Sequence, residues 1–147
     1  MAFSDRELLA RLIKCEAGGE GDDGMKAVAT VVMNRVNIPY GEYARTGQKS
    51  IRKVIEQICQ FSCYKSRISG QTNLQNIWNM NPEQIHYDYA DWAIGGGKLW
   101  AVADCLWFLN PYSPNCPPVF PYNGTGRFHT RINNHCFYVP TELYRQT

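Results

Sequence analysis

Glu16 is the residue of this sequence whose type and position most favour catalysis. On a helix drawn at about 100° per residue, Glu16 falls in the middle of an apolar stripe that includes Leu9 and Ile13. A carboxylate there faces the core or the floor of a cleft, where burial would raise its pKa. The helix dipole acts in the same direction, because Gly18 and Gly19 end the helix just beyond Glu16. The alternative is a glutamate at a frayed helix end that faces solvent. The first interpretation predicts an acid that stays protonated near neutral pH, as general-acid catalysis at a glycosidic oxygen requires.

The length predicts one domain over residues 1–147, and the composition argues against several classes of protein. The net charge is only +2, and no basic stripe of the kind that binds nucleic acid is visible. No apolar run is long enough to span a membrane, so we expect no membrane insertion. No charged-then-apolar signal segment follows Met1, which predicts a protein made in the cytoplasm of its producing cell.

The six cysteines are scattered through the chain, and they do not combine with the three histidines at zinc-finger spacing. We therefore expect neither a metal nor another cofactor. Without an export signal, the first interpretation is that the cysteines are reduced and partly buried thiols.

Four helices are predicted to position Glu16. Ser4 and Glu7 fit a capping box for the first helix, which runs from about Asp5 to Ala17. The second helix is predicted from about Met25 to Val36, with Asp22 or Asp23 as its cap. The third is capped by Ser50 and has one apolar face, formed by Ile51, Val54, Ile55 and Ile58. The fourth begins at Asn81-Pro82 and ends at about Ile94.

The remaining segments are predicted as loops and a small sheet. Residues 37–49 and the polar stretch 65–81 are predicted loops, and the second is long enough to suggest a function. Residues 105–109 favour a buried strand, and 128–132 with 135–139 favour a β-hairpin. The predicted class is therefore α+β, with helices first and a small antiparallel sheet late in the chain.

Five blocks of sequence resemble, in order, the spore cortex-lytic cell-wall hydrolases of the SleB/CwlJ type. The blocks are Cys15 to Glu20, Gly24 to Val36, Gln60 to Cys63, Leu106 to Pro111, and Asn134 to Tyr138. The resemblance covers nearly the whole chain. It is closer to the CwlJ branch, because the sequence shows neither an export signal nor a separate wall-binding domain, and carries Ala17-Gly18-Gly19 where the SleB branch often has Ala-Arg-Gly.

This resemblance implies a compact, lysozyme-like α+β catalytic domain that acts on the glycan strands of peptidoglycan. The catalytic glutamate of the family matches Glu16. For the CwlJ branch, the resemblance also implies association with the spore coat, a docking protein there, and breakdown of the cortex during germination.

Two mechanisms are compatible with the sequence. A lytic transglycosylase needs only Glu16, which protonates the leaving oxygen and then accepts the proton of the muramoyl 6-hydroxyl. A muramidase-type hydrolase needs a second carboxylate, for which Glu20 is the nearest candidate. Glu20 can equally be a turn residue that binds backbone amides. We favour the single-glutamate mechanism.

Candidate substrate-binding residues flank the ends of the predicted elements, where sites tend to lie. They are Glu20, Gln60, Phe61, Ser62, Tyr64, Trp107, Asn110, Tyr112 and His135, and Phe61 and Trp107 could stack on sugars or fill the core.

Two other classes of protein remain open. Cys15 or Cys63 with His135 could form a cysteine hydrolase, although nothing in the local sequence lowers the pKa of Cys15. A non-enzymatic coat or carbohydrate-binding protein would not require Glu16.

Overall fold

The computed structural model describes residues 3–58, 67–68, 70–72, 76–121 and 124–147. Six helices and five strands lie in these ranges, which confirms the predicted α+β class. In chain order they are α1 (Asp5–Ala17), α2 (Gly21–Asn37), α3 (Gly41–Gly47), α4 (Ile51–Ile58), β1 (Arg67–Ile68), β2 (Gln71–Thr72), α5 (Gln84–Ile94), a 3-10 turn (Trp100–Val102), β3 (Trp107–Leu109), β4 (Gly126–Ile132), β5 (His135–Pro140) and α6 (Glu142–Arg145).

Helix α1 has the ends that the sequence predicts. The Ser4 hydroxyl accepts a hydrogen bond from the backbone N–H of Glu7 at 3.1 Å, and the Gly18 N–H donates to the Lys14 carbonyl. Its apolar stripe is fully buried against α2, α4 and α5. Since burying one leucine contributes about 1.5–3 kcal/mol, residues such as Leu8 and Leu12 fix this helix firmly in the core.

Helix α2 begins at Gly21 rather than near Met25, so Asp22 and Asp23 lie in its first turn and do not cap it. The turn before it is short because Gly21 adopts a positive φ of +73°. Both aspartates still favour the helix, since negative charge is stabilised near a helix N-terminus.

Helix α3 lies where the sequence predicts only a loop. Its first turn is held by the C-terminal segment, because the Tyr144 hydroxyl accepts from the Tyr43 N–H at 3.0 Å and the Thr147 hydroxyl accepts from the Glu42 N–H at 2.9 Å. Such long-range contacts leave no local signal in the sequence.

The sequence predicted the N-terminus of α4 correctly but placed that of α5 too early. The Ser50 hydroxyl caps α4 by accepting from the Lys53 N–H at 3.2 Å, as predicted. Helix α5 begins at Gln84, two residues after Pro82, because Glu83 rather than Asn81 is its N-cap residue.

A three-stranded antiparallel sheet in the order β3-β5-β4 packs against α2. The predicted hairpin is confirmed, with Ile132 paired to His135 across the turn Asn133-Asn134. Strand β3 is shorter than the predicted 105–109 and pairs Leu109 with Cys136. Within the described ranges, no helix combines the length and apolarity needed to cross a membrane.

A disulfide between Cys116 and Cys136 corrects the expectation that all six cysteines are reduced thiols. It joins the proline-rich segment after β3 to the central strand β5. The two cysteines are 20 residues apart. Closing a loop of that size lowers the entropy of the unfolded chain and so stabilises the fold by about 3 kcal/mol. Cys15 and Cys105 are thiols that take no part in a disulfide.

Candidate active site

A cavity of about 380 Å³ opens where the C-terminus of α1 meets the N-terminus of α5 and the tip of the β4–β5 hairpin. Four parts of the chain form its walls. They are the last turn of α1 (Lys14, Cys15, Glu16), the following turn (Gly18, Gly19, Glu20), the segment that leads into α5 with the first turn of that helix (Met80, Glu83, His86), and the residue after β3 with the first residue of β5 (Asn110, His135).

Glu16 is half-buried on the wall of this cavity, in the last turn of α1. The chain turns sharply after it, and a side chain on Gly18 would place its Cβ only 2.6 Å from the Lys14 carbonyl oxygen. A glycine is therefore required beside Glu16 to keep this turn closed. The sequence predicted that Glu16 faces the core or the floor of a cleft, and the structure places it on the wall of this cavity.

Glu20 ties the α1–α2 turn to the hairpin. Its Oε1 accepts hydrogen bonds from the Asn134 backbone N–H and from His135 Nδ1, both at 2.9 Å, and its Oε2 accepts from Asn134 Nδ2 at 2.9 Å. Asn133 Nδ2 also donates to the Glu20 carbonyl. The side chain of Glu20 therefore binds a backbone amide, which is one of the two roles that the sequence allowed.

The surroundings of Glu20 keep it ionised. Burial acts to raise its pKa, but the Asn134 backbone N–H, the His135 ring and the Asn134 amide together outweigh burial and lower the pKa below its ordinary value. Glu20 is thus an anion whose two oxygens are both engaged by the hairpin.

His135 is the first residue of β5, and its side chain is only 6% exposed. The ring packs edge-on against Phe108 at 5.5 Å and also contacts Phe137 at 6.3 Å between ring centroids. These aromatic contacts and the bond to Glu20 hold the imidazole in one orientation on the cavity wall.

The sequence analysis did not single out His86, which is buried on the opposite wall. Its Nδ1 accepts a hydrogen bond from the Glu83 N–H at 2.9 Å, and burial lowers its pKa. His86 is therefore neutral and carries its proton on Nε2. The available signal was a polar side chain three residues after Glu83 at a helix start, which is a capping position.

The other predicted site residues have different locations. Asn110 lines the cavity, and its Oδ1 accepts from the Tyr112 N–H at 2.8 Å. Tyr112 is 90% exposed and does not line the cavity. Gln60, Phe61, Ser62 and Tyr64 lie outside the described residues.

The position of Trp107 corrects its selection as a substrate-binding residue and agrees with the other role that the sequence left open, filling the core. It is buried, its Nε1–H donates to the Tyr43 hydroxyl at 2.8 Å, and its ring packs against Tyr144. A tryptophan with both its ring and its N–H satisfied inside the core serves packing.

In the part of the chain that the structure describes, no group of three or more His, Cys, Asp and Glu side chains is arranged to hold a metal ion. The walls of the cavity instead present carboxyl, imidazole and amide groups. Such groups can transfer protons and bind hydroxyls.

Comparison with known proteins identifies the family. The family model described as Cell Wall Hydrolase matches residues 19–138, a range that begins three residues after Glu16 and includes Glu20, Asn110 and His135. The cell wall hydrolase CwlJ of Bacillus subtilis (strain 168) is 29% identical over 138 residues, which cover 94% of this chain and 87% of that protein. CwlJ of Halalkalibacterium halodurans is 28% identical and covers 93% of this chain and 86% of its own length.

The fold has a solved counterpart. The catalytic domain of the germination-specific lytic transglycosylase SleB from Bacillus anthracis superposes with a TM-score of 0.59, at 20% identity, over 93% of this chain and 97% of that domain. The predicted lysozyme-like α+β architecture is confirmed by this likeness. This chain belongs to the cell wall hydrolase family of the SleB/CwlJ type.

Proposed function

We propose that this protein cleaves the glycan strands of the spore cortex at the bond between a muramoyl residue and N-acetylglucosamine. The observation that carries the proposal is the position of Glu16, half-buried in the last turn of a rigid helix, on the wall of a cavity rich in polar groups. Membership of the cell wall hydrolase family supports peptidoglycan as the substrate.

Glu16 acts as the general acid in this proposal. Its carboxylic acid donates a proton to the glycosidic oxygen while the bond from that oxygen to the muramoyl C1 breaks, and the electron pair stays on the leaving oxygen. The muramoyl 6-hydroxyl then attacks C1, closes a 1,6-anhydro ring and gives up its proton to a base. The Glu16 carboxylate formed in the first step can be that base, so one carboxyl group suffices for a lytic transglycosylase.

A muramidase-type hydrolase is the alternative, and it needs a second carboxylate to direct water or attack C1. Both oxygens of Glu20 are already bound by the hairpin, which favours the single-carboxylate mechanism. Glu83 provides the specific observation that keeps the alternative open, because it is an exposed carboxylate that lines the same cavity as Glu16.

The products of the reaction distinguish the two mechanisms. We expect muropeptides released from purified cortex to carry anhydro ends, which mass spectrometry identifies by the loss of one water relative to reducing ends. A Glu16→Gln preparation is the control for release by contaminating enzymes. Reducing ends would contradict the transglycosylase mechanism, and their loss in Glu83→Gln would assign Glu83 as the second carboxylate.

We further propose that the protein acts from the spore coat or the outer spore layers, where a coat protein docks it. The resemblance to the CwlJ branch supports this location. Immunoblotting of fractionated spores is expected to detect the protein in coat extracts. Its recovery mainly from the spore core would contradict the proposed location.

A further inference from the structure

Glu20 and His135 form a buried pair that fixes where the imidazole carries its proton. Glu20 is ionised and can only accept hydrogen bonds, so the 2.9 Å contact requires that His135 Nδ1 carries the hydrogen. In the neutral ring, Nε2 then has a free lone pair. The carboxylate thus makes Nε2 of His135 a proton acceptor.

His135 lines the cavity, and because Glu20 engages Nδ1, Nε2 is the ring nitrogen that remains to meet a ligand. Phe108 and Phe137 cover the ring, and Glu20 is its hydrogen-bond partner among the residues that the structure describes. His135 and Glu16 line the same cavity. The other titratable side chains that line it include Lys14, Cys15, Glu83 and His86.

The two histidines that line the cavity carry their hydrogen on different ring nitrogens, His86 on Nε2 and His135 on Nδ1. His86 Nδ1 accepts from the Glu83 N–H, so its Nε2 carries a hydrogen and donates. His135 Nδ1 donates to Glu20, so its Nε2 accepts. Of these two histidines, it is therefore His135 that offers an acceptor to a sugar hydroxyl or a water that must lose its proton in the cavity.

Glu20 also lines the cavity, but the hairpin engages both of its carboxylate oxygens. Its side chain is 9% exposed, and three hydrogen bonds occupy its two oxygens. A fixed anion behind an imidazole stabilises the imidazolium that forms when the ring accepts a proton.

We propose that His135 is a catalytic base and that Glu20 is its positioning residue; the inference rests on the proposed function. As the attacking hydroxyl forms its bond to C1, its O–H bond breaks and the proton passes to His135 Nε2. Glu16 has already given its own proton to the leaving oxygen. The imidazolium then returns a proton through water to the Glu16 carboxylate, which restores both groups. The attacking hydroxyl is the muramoyl 6-hydroxyl in the transglycosylase mechanism.

The variant that tests the base is His135→Asn. An asparagine amide can still donate to Glu20 from the position of Nδ1, but it offers no base in the position of Nε2. We expect kcat to fall by about 10²-fold or more, with KM nearly unchanged. The acidic limb of the pH–rate profile, which reports protonation of the base, is expected to disappear. His129→Asn, an exposed histidine on β4, is the matched control and should leave the activity and the profile unchanged.

The variant that tests the positioning residue is Glu20→Gln, with Asn134→Ala beside it. The glutamine keeps the shape but removes the charge behind His135, so we expect a lower kcat and a shifted acidic limb. Asn134→Ala removes a hydrogen bond to Oε2 and leaves the His135 contact intact. It should therefore retain the acidic limb. If the two variants lower kcat equally and neither shifts the pH–rate profile, Glu20 only holds the hairpin in place, and its positioning role is overturned.

The outcome for the base separates this inference from the proposed function. If folded His135→Asn keeps kcat within about three-fold and retains the acidic limb, the base assignment is overturned, while an inactive Glu16→Gln would leave the proposed function standing. If Glu16→Gln is active as well, the proposed function fails too. Should His135→Asn not fold, the pH profile of Glu20→Gln decides, because an unshifted acidic limb there overturns the proposal.

Discussion

Replacing Glu16 by glutamine is expected to reduce the rate of glycan cleavage by about 10³- to 10⁴-fold while leaving the fold intact. The amide fills the same space on the cavity wall but has no acidic proton to give to the leaving oxygen. Release of soluble muropeptides from cortex, measured against time, tests the activity. Circular dichroism and urea unfolding test the fold. Activity within about ten-fold of the parent would remove Glu16 from its assigned role.

Two further variants sharpen the test of Glu16. Glu16→Asp keeps the acid but shortens the side chain by one methylene, which withdraws the proton from the leaving oxygen, so we expect severe impairment. Cys15→Ala changes the neighbouring group on the cavity wall and is expected to retain cleavage. Loss of activity in a folded Cys15→Ala variant would instead support the cysteine-hydrolase class. A fully functional Glu16→Gln protein would support a non-enzymatic one.

The pH dependence of the parent enzyme tests the chemical form of Glu16. The apolar stripe and the helix C-terminus predict from the sequence that its pKa is raised, so the alkaline limb should lie well above the ionisation of a free glutamate. If the activity is instead lost as pH rises through about 4, the buried-acid argument is wrong.

The sequence predicted those parts of the fold that depend on local patterns. Helix α1, its Ser4 cap and its end beside Gly18 follow from spacing within a few residues, and so does the β4–β5 hairpin. Because Glu16 lies on the apolar stripe of α1, the sequence also predicted that it faces the core or the floor of a cleft, and in the structure it lines the cavity. The resemblance to the family then suggested the substrate that we propose, which no local pattern contains.

The features that the sequence did not predict depend on contacts between distant residues. Helix α3 is held by the C-terminal segment, and the disulfide joins Cys116 to Cys136 only because the loop after β3 packs on β5. The partner of Glu20 is His135, 115 residues away. The sequence therefore named both members of this pair as candidates without predicting that they meet.

Replacing Glu20 by alanine is expected to lower the free energy of unfolding by about 2–4 kcal/mol. The change leaves the buried Nδ1–H of His135 and the N–H of Asn134 without their acceptor, and it releases the hairpin from the α1–α2 turn. Urea unfolding at neutral pH measures the loss. Glu56→Ala, an exposed glutamate on α4, is the matched control and should change stability by less than about 0.5 kcal/mol. Equal losses in both variants would show that the contacts of Glu20 do not stabilise the fold.

The same contacts predict how stability depends on pH. Because the pKa of Glu20 is lower in the folded protein than in the unfolded chain, its stabilising contribution is fully present above its ordinary pKa of 4.5 and is lost as pH falls through the lower folded value. We therefore expect the parent to lose stability below about pH 4.5, and Glu20→Gln to lose less over the same range. Asp91 provides the comparison, since its hydrogen bond from Arg6 also lowers its pKa, but on an exposed surface. Asp91→Asn should therefore flatten the curve less than Glu20→Gln. If the unfolding free energies of the parent and Glu20→Gln fall in parallel below pH 4.5, the buried carboxylate does not hold the turn and the hairpin together.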